Sequence, residues 1–223
     1  MCREPESNLG IPSPDSTLTD RSAYAAGVTT TTPEARTAPS DALRDTALRH
    51  FAASGFAGAS LQQIADDAGY AKSSVLYHFG SKEALLEAAI SPALEALEHV
   101  IDELVASDLA ADDWVRFRER FIEMLLAHRL EVFTFINHRS SFAGVPVCTR
   151  TDDVIRRLTD LIFAQQPSTE DRLRFGIALG GAAYALVAGM TYRDEADFAE
   201  DDVVRRALNR IVGELLEPVT EQR

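Results

Sequence analysis

Hydrophobic residues recur at helical spacing along almost the whole chain from residue 41 onward. Leu43, Ala47, Leu48 and Phe51 fall on one face at the 3.6-residue period, and Gly55 follows them as a stop signal. No stretch after residue 41 reads convincingly as a strand, because none alternates apolar and polar residues with a period of two. The pattern therefore predicts an all-α protein of about nine helices.

Two short helices and a long one follow the first helix. Ser60 opens a helix with the spacing of a capping box, and Gly69 ends it. The next helix spans about residues 71–78 and is broken by Gly80, after which Ser81 caps the long helix. The long helix and the later ones are predicted near residues 81–106, 112–128, 131–140, 151–165, 169–192 and 201–216.

Composition sets the first 40 residues apart. They hold five of the nine prolines and a run of threonines, with few large apolar side chains. Such a segment cannot offset the entropy lost on ordering by burying surface. Residues 1–40 are therefore predicted to form a flexible N-terminal tail.

Charge and cysteine content restrict the function. The formal net charge of −13 excludes a uniformly basic nucleic-acid surface, so any DNA contact must be local. Lys72 and Lys82 are the only lysines, and they bracket the third helix. Cys2 and Cys148 are too few for a Cys-rich zinc site, and no secretory signal is seen, which predicts a cytoplasmic protein.

The two short helices match the helix-turn-helix pattern, with Gly69 at their junction. The major groove of B-DNA is about 12 Å wide and admits one helix, whose N-terminal residues meet the base edges. Here that helix begins Ala71-Lys72-Ser73-Ser74, where small side chains permit a close approach and the ammonium and hydroxyl groups can donate. This segment is the candidate for reading double-stranded DNA.

The motif extends beyond a bare helix-turn-helix. Residues 61–69 read LQQIADDAG and residues 72–86 read KSSVLYHFGSKEALL. Over about residues 41–90 the chain resembles the DNA-binding domain of the TetR family of transcriptional regulators. The resemblance implies a three-helix DNA-binding domain in residues 41–90, followed by a larger helical domain for effector binding and dimerisation in residues 91–223.

The resemblance also implies which side chains meet DNA. It assigns base-edge contacts to Gln62, Lys72 and Ser73. It assigns phosphate contacts to Ser60, Ser74, Tyr77, His78 and Lys82. The chain departs from the family pattern at Ser73, where Gly is frequent, and at Leu76, where Tyr is frequent, which leaves the operator sequence open.

Five of these residues also have a purely structural interpretation. Lys72 and Lys82 are then solvated, Tyr77 only packs, His78 is a satisfied structural histidine and Gln62 is merely exposed on a short helix. The corresponding alternative function is a helical small-molecule-binding protein or enzyme whose helix-turn-helix is structural.

Residues 175–192 contain no charged side chain and approach the length that spans a bilayer. Their glycines and alanines favour close packing instead, so no membrane insertion is expected. Together with the helix at 201–216, whose apolar face carries Val204, Leu208 and Ile211, they predict a four-helix homodimer interface. A dimer matches a palindromic operator, whose half-sites lie about 34–36 Å apart.

Aromatic residues in the middle of the chain predict a cavity for a small-molecule effector of unknown identity. The candidate lining residues are Phe117, Phe121, His138, Arg139, Phe142 and Tyr184. An ordinary packed core is the alternative for each of them. A ligand would release DNA by moving helix 81–106, with a kink or break at Pro92 as its hinge.

Nothing in the sequence favours catalysis. It has no Gly-x-Ser-x-Gly elbow, phosphate-binding loop or nucleotide fingerprint. The five histidines are scattered, and the repeated Glu-x-x-His spacing of a di-metal bundle is missing. We therefore expect a transcriptional regulator with no cofactor, metal or enzymatic activity, and specifically a repressor released from its operator by a ligand.

Overall fold

The computed structural model describes residues 38–142, 144–165, 168–192 and 200–220. Nine helices occupy these ranges, and no strand occurs within them, which confirms the all-α prediction. They are α1 (Pro39–Gly58), α2 (Leu61–Asp67), α3 (Lys72–Phe79), α4 (Lys82–Val105), α5 (Ala111–Ala127), α6 (Arg129–His138), α7 (Pro146–Gln165), α8 and α9 (Asp201–Thr220). Helix α8 consists of Thr169–Phe175, a π-helical stretch Gly176–Gly180 and Gly181–Tyr192.

The start of α1 lies just inside the predicted tail. Pro39 occupies the first turn, where its missing N–H costs no hydrogen bond and its fixed φ suits a helix. The remainder of the predicted tail, residues 1–37, lies outside the described residues. The regular part of α1 ends at Gly55, whose φ of 68° is the left-handed conformation that favours glycine, as predicted.

The turn between α2 and α3 closes through two backbone hydrogen bonds. Tyr70 N–H donates to Ala65 O at 2.8 Å, and Gly69 N–H donates to Asp66 O at 3.1 Å. This pair of bonds is the Schellman motif, and the φ of 76° at Gly69 is the conformation it requires. The turn therefore sets the relative direction of the two short helices from local sequence.

The junction between α3 and α4 is equally short. Gly80 ends α3 with a φ of 78°, and the Ser81 hydroxyl then accepts a hydrogen bond from Ala84 N–H at 3.1 Å. The predicted cap is confirmed here. The predicted capping box at the start of α2 does not form. Ser60 occupies the N-cap position, but its side chain makes no cap hydrogen bond.

Helix α4 links the three N-terminal helices to the rest of the fold. Leu85, Leu86 and Ile101 are completely buried along it. The helix continues through Pro92 rather than breaking near Ser91, contrary to one form of the prediction. It therefore runs without interruption from the end of α3 into the helices that follow it.

The remaining helices pack around α4 and α5. Trp114, Phe117 and Phe175 form an aromatic cluster with centroid distances of 5.0 and 5.9 Å from the tryptophan ring. Helix α7 begins at Pro146, five residues before its predicted start at 151, and the buried Val147 anchors its first turn. Helix α9 packs on α5 and along α8.

Candidate nucleic-acid interface and effector cavity

One face of α3 is strongly exposed and carries the reading candidates. Lys72, Ser73, Leu76 and Tyr77 lie on it, while Val75 is buried beneath them. Tyr77 is 86% exposed and Leu76 is 43% exposed, high values for side chains of this size. The four residues recur at helical spacing, so they form one stripe, which we call the α3 face.

Helix α2 contributes Gln62, which is exposed beside α3. Its Nε2 donates to Asp66 Oδ1 at 2.8 Å, so a base contact requires this bond to be exchanged. The other acidic residue of α2, Asp67, lies 2.7 Å from His50 Nε2 and so connects α2 to α1. Both acids limit the positive potential that this surface presents to a phosphate backbone.

The other phosphate candidates surround the α3 face at different depths. Ser60 and Ser74 are half-buried at the starts of α2 and α3, and His78 is exposed near the end of α3. The His78 ring lies edge-on to Tyr77 at a centroid distance of 5.4 Å. The predicted residues thus all lie on α2 and α3 or at the starts of α2 and α4, which contact one another in sequence order, and their individual roles stay predictions.

Lys82 is the second predicted cation, and its surroundings were not foreseen. It is half-buried, with Nζ 4.6 Å from the centroid of the Phe56 ring. Burial lowers the pKa of its ammonium below the ordinary value, and the nearby Glu83 carboxylate opposes that shift. Phe56 therefore acts as an apolar support that directs a charged side chain.

A cavity of about 260 Å³ opens among α4, α5, α6, α7 and α8. Its wall is almost entirely apolar and includes Leu97 of α4, Phe121 of α5 and Phe135 of α6. Leu179 and Gly180, from the π-helical stretch of α8, also line it. Single-turn π segments often occur at functional sites, where they alter the local helical packing.

Of the predicted ligand-binding aromatics, Phe121 lines this cavity. Phe117 is buried and lines a separate cleft beside α4 and α5 instead. Phe142 is fully buried against Phe56, with ring centroids 6.3 Å apart. Their aromatic character alone did not reveal which of these rings face open space.

The predicted polar ligand contacts also lie elsewhere. His138 Nε2 is 2.9 Å from Ala52 O, and its ring packs on Gly55. Arg139 is exposed and pairs with Asp152. Tyr184 is 58% exposed on the outer side of α8. None of these three lines this cavity, whose wall comes from five helices and so could not be assembled from sequence periodicity.

His138 instead forms a contact between α6, which lines the cavity, and α1. Helix α6 lines the cavity through Val132 and Phe135, and its last residue contacts the Gly55 turn of α1. The 3₁₀ turn Arg139–Phe142 that follows brings Phe142 against Phe56. Phe56 in turn supports Lys82, so a continuous chain of contacts joins the cavity to the start of α4.

The outer side of α8 is an exposed stripe of apolar and small residues. Leu173, Ile177 and Tyr184 are 60%, 61% and 58% exposed. They are separated by exposed Gly180 and Gly181, at the spacing of one helix face. We call this surface the α8 stripe, and Ile211 of α9 is a further exposed apolar residue.

The same helix is long and apolar enough to cross a membrane by length and composition alone, over Thr169–Thr191. Here it packs on α6, α9 and α5. Among the residues with described positions, no group of three His, Cys, Asp or Glu side chains is placed to hold a metal ion.

The chain resembles known proteins in sequence over one segment and in fold over most of its length. The family model described as "Bacterial regulatory proteins, tetR family" matches residues 43–89. No curated protein matches the chain significantly.

Solved structures share the fold over most of the chain. A TetR transcriptional regulator family member from Streptomyces coelicolor is 25% identical, with a TM-score of 0.60 over 76% of this chain and 88% of its own. The ketosteroid transcriptional regulator of Mycobacterium tuberculosis is 16% identical, with a TM-score of 0.58 over 80% and 93%. The fatty acid degradation regulator of Bacillus halodurans is 16% identical, with a TM-score of 0.50 over 79% and 95%.

The matched segment contains α2, α3 and the start of α4, and it carries the whole α3 face. The helical body beyond it has the arrangement found in the solved regulators. Residues 43–89 therefore match the tetR family of bacterial regulatory proteins, and the protein is a DNA-binding transcriptional regulator.

Proposed function

We propose that the protein is a homodimeric, cytoplasmic repressor that binds a palindromic operator and leaves it when a small molecule fills the α4–α8 cavity. The observation that carries the DNA-binding part is the α3 face, an exposed stripe of cationic, small and aromatic side chains on a buried support. The rest of the proposal draws on the α8 stripe and the cavity.

On DNA, the N-terminal residues of α3 enter the major groove. Lys72 and Ser73 meet base edges, and Gln62 reaches the same groove from α2 once it leaves Asp66. The phosphate backbone on either side is met by Ser60, Ser74, Tyr77, His78 and Lys82. Because the set contains only two lysines, the number of neutralised phosphates is small and specificity depends on geometry as well as charge.

Dimerisation follows from the exposed α8 stripe. Leaving Leu173, Ile177 and Tyr184 in water is unfavourable, and the glycines between them let a second helix approach closely. An isologous pair of α8 and α9 helices buries this surface and gives the two-fold symmetry of a palindromic operator.

Release is a population shift between two arrangements of the reading domains. Helix α4 lines the cavity through Leu94 and Leu97 and begins directly after α3, so displacement of its middle part moves the reader. Helix α6 carries the second connection through His138 and Ala52. Pro92 lacks the backbone N–H that would hold its turn of α4, which makes that turn the place where the helix bends.

The direct test is a gel-shift with DNA flanking the protein's own gene, in the presence of excess competitor DNA. We expect specific, competitor-resistant retardation. Lys72→Gln should weaken operator binding by about 1–3 kcal/mol, the usual value of a base contact. Arg156→Gln is the matched control, because it removes one exposed positive charge from α7.

Retardation that competitor DNA abolishes equally for every sequence would contradict a specific reader. Equal losses for the two variants would contradict the role of the α3 face and favour general charge attraction. For the hinge, Pro92→Ala should reduce ligand-induced release while leaving operator binding without ligand intact.

A further inference from the structure

The cavity among α4–α8 has one ionisable group in its described lining, and that group is an acid. Glu131 of α6 lies in a wall otherwise made of aliphatic and aromatic side chains and Thr151. The Thr151 hydroxyl donates to Val147 O at 2.7 Å, so its proton is already used within α7. The chemistry that the cavity offers to a polar group on a ligand therefore centres on Glu131.

The surroundings of Glu131 leave its carboxylate spare hydrogen-bonding capacity. Its side chain is 15% exposed, and Oε1 lies 3.2 Å from His128 Nδ1. A carboxylate has about four acceptor positions on two oxygens. One neighbour of this kind therefore leaves room for a donor that approaches from the cavity.

Positive side chains close to the cavity are already paired. Arg150, next to Thr151 on α7, forms a two-pronged contact with Glu98 of α4, with Nε 3.0 Å from Oε1. Arg157, next to Leu158, lies 2.6 Å from Asp102. Arginine charges on this side of the cavity are thus balanced by α4 acids, and the chain as a whole carries −13.

We propose that the effector is a lipophilic monocation, with an apolar body in the cavity and an ammonium-type group at Glu131. A ligand carboxylate would bring a second negative charge against Glu131 within a poorly hydrated wall, which costs free energy without a cation to compensate it. A ligand with a single positive charge is instead attracted to the Glu131 carboxylate. This assignment rests on the proposed ligand-responsive function and specifies the class of its ligand.

The way into the cavity lies between α6 and α7. Ile136 and Ile155 line it, and they are 39% and 47% exposed, so the cavity reaches the surface there. Glu131 lies one to two turns of α6 before Ile136. An elongated amphipathic molecule can therefore enter by its apolar end or by its charged end without crossing the packed core.

The experiment uses three probes with the same tail: octyltrimethylammonium, octanol and octanoate. Their affinities for the full chain are measured by isothermal titration calorimetry below the micelle concentration. Operator binding is measured in parallel by gel-shift. The cation should bind about 10-fold or more tightly than octanol, and octanoate should bind most weakly.

Variants separate charge from shape. Glu131→Gln keeps an acceptor for His128 and should reduce the affinity for octyltrimethylammonium about 10-fold while leaving octanol unchanged. Glu119→Gln, an exposed acid on α5, is the matched control for net charge and should change neither affinity. Ile155→Lys at the exposed entrance should weaken the cation and improve octanoate without disturbing the core.

Tighter or equal binding of octanoate overturns the cationic assignment. So does an equal response of the cation affinity to Glu131→Gln and Glu119→Gln. Failure of all three probes to bind, with octanol included, overturns it as well, because the cavity then takes no apolar ligand. Failure of the regulator function itself would appear separately, as loss of specific operator retardation by the unmodified chain.

Discussion

The two halves of the described chain place function on opposite kinds of surface. In α1–α3 the functional surface is convex: Tyr77 and Leu76 project from a short helix over the buried Val75. In α4–α9 the candidate effector site is concave, a cavity lined by five helices. The α1–α3 half exposes its candidate side chains to solvent, whereas the α4–α9 half encloses its candidate side chains in a cavity.

The origin of each surface explains the difference. The shape of the α1–α3 half depends on three glycines with positive φ, Gly55, Gly69 and Gly80. Each of them ends a helix through its own local backbone conformation. The cavity depends instead on how far apart helices distant in sequence come to rest. Local backbone chemistry therefore shapes the candidate DNA-reading surface, and long-range packing shapes the candidate effector cavity.

The largest expected effect is on dimerisation, which joins two copies of α1–α3 into one DNA-binding unit. Ile177→Arg places a charge in the middle of the α8 stripe and should convert the dimer to a monomer. Operator affinity should fall about 10²–10⁴-fold, because two linked half-site contacts become one. Light scattering after size exclusion, combined with gel-shift, measures both quantities.

Val105→Arg is the matched control, since Val105 is 51% exposed on α4 outside the α8 stripe. It should leave both mass and operator affinity unchanged. A monomeric Ile177→Arg protein with undiminished operator affinity would show that the two reading halves act independently.

The contact between the halves can be tested at His138. His138→Phe retains a ring on Gly55 but leaves Ala52 O without its 2.9 Å partner, at a cost of about 1–3 kcal/mol. Each kcal/mol corresponds to a decrease of about 2–4 °C in Tm for a chain of this size. Ligand-induced release should weaken as well, while ligand affinity persists.

His99→Phe serves as the comparison, because His99 is exposed on α4 and pairs with Glu103. An equal decrease in Tm for His138→Phe and His99→Phe would show that His138 does not connect the two halves.

At the start of α4, Lys82 should contact DNA phosphates rather than bases. Lys82→Met keeps an unbranched side chain over Phe56 and removes the charge. Affinity should fall alike for all DNA sequences, and the slope of log affinity against log salt should decrease by about 0.9. Gln62→Ala should instead change discrimination at one base position, and equal sequence-independent losses from both variants would refute this division.

Leu76 offers a smaller and more specific test of the α3 face. A leucine that is 43% exposed beside Lys72 and Ser73 can contact a thymine methyl group. Replacing operator thymine by uracil should then cost about 0.8 kcal/mol at the contacted position. In Leu76→Ala the same replacement should cost nothing, and an unchanged cost there would assign the methyl contact to another residue.

The smallest effect is the pH response of the helical body. The Ala110 backbone N–H and the Arg116 guanidinium lower the pKa of Asp113 below its ordinary 3.8. A lowered carboxyl pKa contributes stability above pH 3.8, and that contribution is lost as the pH falls through the lowered value.

Asp113→Asn should therefore be less stable than the unmodified chain at neutral pH, with a difference that closes in acid. Thermal melts across this range measure it, and the exposed Asp112→Asn provides the control. A stability difference that does not depend on pH would assign the role of Asp113 to packing.

The sequence alone determined the features that depend on near neighbours. Helix periodicity located the nine helices, the glycines marked the turns, and Ser81 capped α4 as expected. The candidate reading residues could be named because one contiguous segment resembles the TetR-family DNA-binding domain, and that resemblance assigns the contacts residue by residue.

Only the tertiary structure decided which side chains share a cavity. Phe121 lines it, whereas Phe142 and His138 connect the body to α1, although all three looked alike as polar or aromatic residues of the middle helices. Glu131 carried no signal in the sequence, since its importance comes from the apolar surfaces of four other helices. Backbone turns are determined within a few residues, but the distance between packed helices depends on every side chain between them.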